Sequence, residues 1–161
     1  YSTRLRLDLV VNILTIHALV NRAIEVFGGQ QMRPNIHIDD MADLYAQTLE
    51  WPGAKIDGQT YNVGYQNHPL FDIAAIVQGV VGRDVRVSVK PTNDNRSYHI
   101  SSQKIKRDLE FDPHRTLEDA VRDLKNAYGA GKIPNPMTDI RYYNIMTMQH
   151  AHSDKRTVYA N

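Results

Sequence analysis

Arg33 and Arg96 are the two side chains of this sequence whose type and local setting best suit the binding of an anion. Arg33 follows the turn signal Gly28-Gly29, and its nearest acidic neighbour along the chain is Asp39. A guanidinium is planar and always charged, so it binds phosphate or carboxylate oxygens through paired hydrogen bonds. Arg33 is therefore a candidate phosphate ligand. The alternative, an ordinary surface arginine, is common for an isolated residue of this type and stays open.

Arg96 lies in a second informative stretch, residues 90–100, K-P-T-N-D-N-R-S-Y-H-I. Proline, asparagine and aspartate favour turns, so this stretch is predicted to be a loop that leads into a short strand. Asp94 stands two residues before Arg96. The local sequence therefore leaves two interpretations open, an ion pair between these two residues or a second anion ligand.

The stretch from residue 23 to residue 49, which would position Arg33, is predicted to be strand, glycine turn, strand and helix. The Gly28-Gly29 pair favours the turn because glycine enters positive φ at no steric cost. The second strand is predicted at about residues 34–38. Asp39 and Asp40 would then cap the helix. Its apolar positions recur at three- and four-residue spacing, at Met41, Ala42, Leu44, Tyr45 and Leu49.

The rest of the chain alternates helices with strands. Helices are predicted from about Asp8, as N-cap, to Val20, from Leu70 to Val81 before the stop at Gly82, from Ser101 to Leu109, and from the N-cap Thr116 to Tyr128. Strands are predicted at residues 59–63 and 84–89, the second with Val85, Val87 and Val89 inward, and a loop at residues 65–69. This order predicts an α/β fold.

The composition changes at residue 129 to glycine, proline, asparagine and methionine. We therefore divide the chain into an α/β portion, residues 1–128, and a C-terminal extension, residues 129–161, that wraps on the surface or on a partner. Within this extension, His150, His152 and Asp154 have the ligand types of a metal site, but in a polar tail we do not expect one.

Charge and composition exclude several function classes. The 161 residues include 19 lysines and arginines against 18 aspartates and glutamates, so no basic field predicts nucleic-acid binding. No apolar run approaches the ~20 residues that span a bilayer, so no membrane partner is predicted. Cysteine is absent, which fits a reducing compartment, and we expect a cytoplasmic location. Because the chain does not begin with methionine, we expect a fragment of a longer protein.

Five motifs together resemble the C-terminal half of the extended short-chain dehydrogenase/reductases, the NAD-dependent nucleotide-sugar epimerases and dehydratases. They are S-T-R-L-R-L-D-L-V-V-N on residues 2–12, G-G-x-Q-x-R-P-x-I-H-I-x-D-M on 28–41, Y-N-V-G on 61–64, D-x-R-S-Y on 94–98 and L-x-F-x-P-x-x-x-L-E-D-x-V-x-x-L on 109–124. The resemblance implies the end of a Rossmann domain plus a small α/β substrate-binding domain, with the Rossmann nucleotide-binding half absent from this chain.

The resemblance also assigns site residues. It implies that Arg33 and Arg96 contact the diphosphate of a nucleotide sugar. Asn12 would be the substrate-facing amide of the first helix and would orient the adjoining sugar phosphate. As a further hypothesis, the strand edge at Val26 and Phe27 lies beside the nucleobase.

The catalytic and cofactor motifs of this family are absent from the sequence. There is no G-x-G-x-x-G, which opens the phosphate-binding turn of a Rossmann domain. Tyr128 and Lys132 have the Tyr-x-x-x-Lys spacing, but Gly129 and Gly131 would break the helix that puts both on one face, so no catalytic residue is assigned. The resemblance implies NAD or NADP bound by an N-terminal Rossmann half, in the same or a companion chain, and a homodimeric intact enzyme.

Two alternative functions remain open at this level. Relatives of the same architecture reduce small carbonyl compounds and need no diphosphate site. The chain could instead be a non-catalytic binding or assembly module.

Overall fold

The computed structural model describes residues 1–94 and 96–158, with side chains through residue 152; Asn95 of the predicted loop, the side chain of Asp154 and residues 159–161 lie outside the described part. The prediction of an α/β fold is confirmed. In chain order the elements are α1 (Val10–Asn21), β1 (Ala23–Phe27), β2 (Met32–Asn35), α2 (Ile38–Thr48), α3 (Gly53–Ile56), β3 (Gln66–Pro69), α4 (Leu70–Val81), β4 (Arg86–Lys90), α5 (Gln103–Leu109), α6 (Leu117–Gly129), a 3₁₀ turn (Ile140–Tyr142) and α7 (Asn144–Val158).

The described strands form two small sheets. β1 pairs in parallel with β4, with Ala23 opposite Arg86, and β2 pairs antiparallel with β3, with Arg33 opposite His68. The Gly28-Gly29 turn joins the two sheets, and φ is 83° at Gly28 and 122° at Gly29. Because both values lie where L side chains are strained, the prediction of a glycine turn is confirmed.

The largest apolar cluster lies between β1 and the helices α1, α4 and α6, and we call it the core region. It consists of Leu14, Ala18, Ile24, Val26, Ile73, Ala74, Val77, Val81, Val85, Leu117 and Val121. The α4 boundaries, Leu70 and Val81, are those predicted from helical spacing. Burial of these side chains is the main stabilising contribution in this half of the molecule.

Two strand predictions were wrong in position. β2 covers residues 32–35 rather than 34–38, because His37 already caps α2 and the chain leaves the sheet before it. The predicted strand at residues 59–63 is not a strand, and β3 forms instead at residues 66–69, inside the predicted loop. Tyr61 and Val63 pack on an apolar cluster around α5, so their β-type side chains serve packing and not sheet pairing.

The prediction that the strand at residues 84–89 buries three valines was correct only for Val85, which directly precedes β4. Val85 belongs to the core region, whereas Val87 and Val89 are 39% and 52% exposed. Within the described residues, β4 pairs with β1 on one side and has no strand on the other. The alternation of apolar residues therefore predicted a strand correctly but not what covers it.

Caps were predicted for three helices, and at two of them the structure differs from the prediction. Leu9, not Asp8, precedes α1, and its side chain makes no cap. At α2 the cap is His37, whose Nδ1 accepts a hydrogen bond from the Asp39 amide. Thr116 caps α6 as predicted, in a capping box with Asp119.

The C-terminal residues pack on the start of the chain. Ile133 is buried with Leu5 and Leu7, and the Leu7 amide donates to the Tyr142 carbonyl. The division at residue 128 stays a prediction. No helix within the described residues combines the length and the apolar character that a bilayer crossing requires.

Candidate functional site

A cavity of about 580 Å³ separates the N-terminal lead-in and the start of α1 from β2, the segment before α2 and the start of α6. Two predicted site residues line this cavity: Asn12 lies on the side of α1, and Arg33 lies on the side of β2. Its other polar lining residues include Tyr1, Ser2, Arg4, Arg6, Asp8, Asn35, His37, Tyr65, Gln66, Tyr98, Arg115 and Thr116.

The start of α1 forms part of the cavity wall. Val10, Val11 and Asn12 line the cavity, and the first helical turn has neither a side-chain cap nor an acidic residue. The first amides of a helix lack intrahelical acceptors, and the helix dipole places partial positive charge there. The Asn12 side chain is held by a 2.7 Å hydrogen bond from its Nδ2 to the Arg6 carbonyl. This end of α1 is therefore suited to an anion.

Arg33 enters the cavity wall from β2, held by contacts with neutral groups. Its Nη1 donates to the Met32 carbonyl at 2.9 Å and to the Arg96 carbonyl at 2.6 Å. The guanidinium also lies 5.4 Å from the ring centroid of Tyr98. Among the described residues Arg33 forms no ion pair with a carboxylate. Its positive charge is therefore available to a ligand in the cavity.

Arg96 differs from Arg33 in its partner. Its side chain is 81% exposed and forms two hydrogen bonds with the Asp94 carboxylate, at 2.8 Å from Nε and 2.6 Å from Nη2. These bonds hold the pKa of Asp94 well below its usual range, with a smaller contribution from the nearby charge of Arg33. Of the two interpretations that the sequence left open, the structure shows the ion pair. The structure brings Arg96 to Arg33 through its backbone carbonyl, and its side chain is not part of the cavity lining.

Val26 and Phe27 lie outside the described cavity lining. Val26 is 2% exposed in the core region, so its side chain is not open to a ligand. Phe27 is 55% exposed at the end of β1, and its carbonyl accepts a hydrogen bond from the Gln31 side chain. Their assignment to the nucleobase therefore depends on the strand edge and not on the valine side chain.

The balance of charge in the cavity favours anions. Four arginines line it, against one carboxylate, Asp8, among the described lining residues. Arg6 pairs with Asp8 at 3.0 Å and lowers the pKa of that carboxyl, while Arg115 pairs with Asp40 and Asp43. Arg4 and Arg33 have no carboxylate partner within the described part of the chain. The cavity thus carries uncompensated positive charge.

Several lining residues were not singled out by sequence reasoning. Tyr65 and Tyr98 are 39% and 56% exposed and present aromatic rings to the cavity. Tyr65 directly follows the Y-N-V-G motif, and Tyr98 is the last residue of the D-x-R-S-Y motif. Their positions beside or within these motifs were the sequence signal that could have identified them. His37 was also missed, because aspartate is the more common helix cap.

The residues His37, Asp39 and Asp123 lie close enough together to hold a metal ion. Both ring nitrogens of His37 are already used: Nδ1 accepts from the Asp39 amide, and Nε2 lies 3.3 Å from the Asp123 carboxylate. A metal ion would need a free lone pair on one of these two nitrogens, and would have to displace the contact that the nitrogen makes. The arrangement is that of a structural contact between α2 and α6.

The described residues do not fit a dinucleotide. A Rossmann cofactor site needs a strand that passes through a glycine-rich turn into a helix. Here the glycine turn after β1 leads into β2, and β3 runs directly into α4 at Pro69. No step of the reaction is therefore assigned to a cofactor bound by these residues.

Sequence comparison identifies a related family. The profile described as "NAD dependent epimerase/dehydratase family" matches residues 4–64. A dTDP-glucose 4,6-dehydratase of Escherichia coli is 28% identical over an alignment of 133 residues, and the match covers 74% of this chain and 36% of that enzyme. The chain thus spans about a third of the length of this relative.

Solved structures share the fold. UDP-glucuronic acid 4-epimerase from Bacillus cereus, in complex with UDP-glucuronic acid and NAD, has a TM-score of 0.68 at 20% identity, over 81% of this chain and 42% of that one. L-threonine dehydrogenase from Phytophthora infestans has a TM-score of 0.65 at 16% identity, over 76% and 41%. Sequence and fold together confirm that this chain is similar to a portion of the extended short-chain dehydrogenase/reductases of the NAD-dependent epimerase/dehydratase family.

Proposed function

We propose that this chain is the substrate-binding portion of an NAD(P)-dependent nucleotide-sugar epimerase or dehydratase, and that its cavity binds the diphosphate of the nucleotide sugar. The observation that carries the proposal is the meeting of Arg33, Asn12 and the uncapped start of α1 at one cavity. Relatives with dTDP-glucose and UDP-glucuronic acid in their names support the substrate class.

The proposed roles follow from the donors that each element supplies. Arg33 provides a charged fork for one phosphoryl group, and the first amides of α1 provide neutral donors for the other. Asn12 adds a side-chain amide between them. Arg96 contacts a phosphate only after it exchanges Asp94 for the ligand, so its contribution is smaller than that of Arg33. The end of β1, at Val26 and Phe27, is assigned to the nucleobase.

The redox chemistry belongs to a Rossmann half that binds NAD or NADP, in the same or a companion chain. The parallel pair of β1 and β4 supports such a partner, because parallel sheets normally have more strands and helices on both faces. In this arrangement the present chain would hold the nucleotide, and a nicotinamide bound by the Rossmann half would supply the transient oxidation of the sugar. The proposal includes a homodimeric intact enzyme in the cytoplasm.

Titration calorimetry with UDP, inorganic pyrophosphate and propionaldehyde tests the proposal on this chain and two variants. Arg33→Ala removes a charge-assisted contact worth about 1.5–3 kcal/mol, so we expect UDP and pyrophosphate to bind about 10- to 100-fold more weakly. The matched control is Arg83→Ala, an exposed arginine after α4 and outside the described cavity lining, and it should bind like the parent.

Equal UDP affinity in the parent chain and Arg33→Ala would contradict the diphosphate assignment. If the parent chain binds propionaldehyde but not UDP, the result would favour a small-carbonyl reductase instead. Binding of neither would favour an assembly module.

A further inference from the structure

The Gln31 side chain connects two parts of the chain that lie 63 residues apart. Its Oε1 accepts a hydrogen bond from the Gly29 amide at 2.6 Å, while its Nε2 donates to the Phe27 carbonyl at 3.2 Å and to the Asp94 carbonyl at 3.0 Å. A Cβ atom at Gly28 would overlap the Gln31 amide group. The glycine turn therefore leaves room for this side chain as well as supplying positive φ.

Beyond Asp94, the contacts continue to both arginines. The Asp94 carboxylate accepts hydrogen bonds from the Arg96 amide and guanidinium, and the Arg96 carbonyl accepts from Arg33. Ser97 Oγ accepts from the Met32 amide, and the Tyr98 ring lies beside the Arg33 guanidinium. Asp94 and residues 96–98 thus form one side of the surroundings of Arg33, and these described residues are not a strand of either sheet.

We propose that Gln31 is a positioning residue that, through the Asp94 carbonyl, fixes the residues around Arg96 against β2 and thereby aims the Arg33 guanidinium into the cavity. Gln31 is outside the described cavity lining, so it acts through Arg33 and not on the ligand. The inference rests on the proposed binding of a diphosphate.

The two ends of the Gln31 amide have separable functions. The oxygen accepts from the Gly29 amide, whereas the nitrogen donates to both the Phe27 carbonyl and the Asp94 carbonyl. Gln31→Glu keeps an oxygen for Gly29 and replaces the nitrogen by a second oxygen, which would face the Asp94 carbonyl without a proton. This variant therefore removes the bonds to the Asp94 and Phe27 carbonyls while it preserves the bond to the Gly29 amide.

The experiment compares the parent chain with Gln31→Glu and with Gln30→Glu, which places the same charge on an exposed neighbour. UDP affinity is measured for each variant, alone and combined with Arg33→Ala. We expect Gln31→Glu to weaken UDP binding about 3- to 10-fold relative to Gln30→Glu, the range for loss of the one hydrogen bond that reaches Asp94. In the Arg33→Ala background the same change should have no further effect, because coupled residues are not additive.

A second measurement does not need a ligand. The NMR signal of the Arg96 Nε–H group reports its bond to Asp94, and we expect this signal to shift in Gln31→Glu and not in Gln30→Glu. A purely local role in the glycine turn would leave it in place.

The outcomes separate this inference from the proposed function. If Arg33→Ala weakens UDP binding and Gln31→Glu does not, or if the two losses add, Gln31 is not a positioning residue and the binding site stands. An Arg96 Nε–H signal that does not shift in Gln31→Glu would also show that Gln31 is not a positioning residue. If Arg33→Ala leaves the affinity unchanged, the proposed function fails, and the inference fails with it.

Discussion

The core region and the wall that holds Arg33 are stabilised in different ways. In the core region, side chains of β1, α1, α4 and α6 exclude water from one another, and Ile24, Ile73 and Val77 are completely buried. The Arg33 wall, which consists of residues 28–35, 65–69 and 94 with 96–98, is joined by the β2–β3 pairing and by hydrogen bonds between side chains and backbone atoms.

This difference separates stability from binding. Apolar burial contributes about 25 cal/mol per Å², so the core region contributes most of the free energy of folding in its half of the molecule. The hydrogen bonds of the Arg33 wall each contribute about 1 kcal/mol, but they set the direction of a charged group. We therefore expect changes in the first region to alter the free energy of unfolding and changes in the second to alter affinity.

The largest expected effect is in the core region. Ile73 is fully buried on α4, and Ile73→Ala removes apolar contacts and leaves a cavity. We expect the free energy of unfolding in urea to fall by about 2–5 kcal/mol, with UDP affinity of the folded fraction unchanged. A loss below about 1 kcal/mol would show that this helix is not held by the core region.

A substitution at Asn12 tests affinity, because this residue lines the cavity. Asn12→Asp keeps the shape of the side chain and adds a negative charge beside the start of α1. We expect UDP to bind about 10- to 100-fold more weakly, since like charges repel at close range. Asn12→Ala, without the added charge, should have the smaller effect. Equal losses in the two variants would contradict the placement of a phosphate beside this residue.

Thr116 belongs to both regions, because it caps α6 and also lines the cavity. Thr116→Ala removes the side-chain acceptor for the Asp119 amide and should lower the free energy of unfolding by about 1 kcal/mol. Thr116→Ser keeps the hydroxyl and serves as the matched control. If serine destabilises the protein as much as alanine, the cap is not the cause.

The smallest expected effect concerns pH. Hydrogen bonds from Arg6, followed by one from the Asn144 amide, lower the pKa of Asp8 below the value of about 3.9 typical of an unfolded chain. The ionised form therefore stabilises the fold above about pH 4, and this contribution is lost as the pH falls through the folded pKa.

Urea unfolding of the parent and of Asp8→Asn between about pH 6 and pH 2 measures this contribution. The parent should be the more stable protein at pH 6, and the difference should shrink with acidification below about pH 4. If the difference in the free energy of unfolding between the two proteins grows on acidification, the assigned role of ionised Asp8 is contradicted.

The sequence predicted the elements that local chemistry determines. Positive φ at Gly29, the helical spacing of α4 and the Thr116 cap each depend on a few neighbouring residues, and all three are present. The exposure of Val89 could not be predicted, because it depends on what lies beside β4 and not on the alternation within it. In β1, by contrast, burial follows the strand alternation, with Ile24 and Val26 buried and Glu25 and Phe27 exposed.

The candidate site was predictable in part. The family resemblance implied that Arg33 and Arg96 lie near each other, and the Arg96 carbonyl does contact Arg33. The choice of Asp94 as the partner of the Arg96 side chain depends on loop geometry, and the sequence left it open. The role of Gln31 was not visible, because two of its three partners are backbone carbonyls, one of them far away in the sequence.

A crystal structure of this chain with UDP tests the central claim most directly. We predict diphosphate oxygens at about 3 Å from the Arg33 guanidinium and from donors at Asn12 and the start of α1, the distance of a charge-assisted hydrogen bond. A diphosphate bound elsewhere, with Arg33 still held only by the Met32 and Arg96 carbonyls, would contradict it.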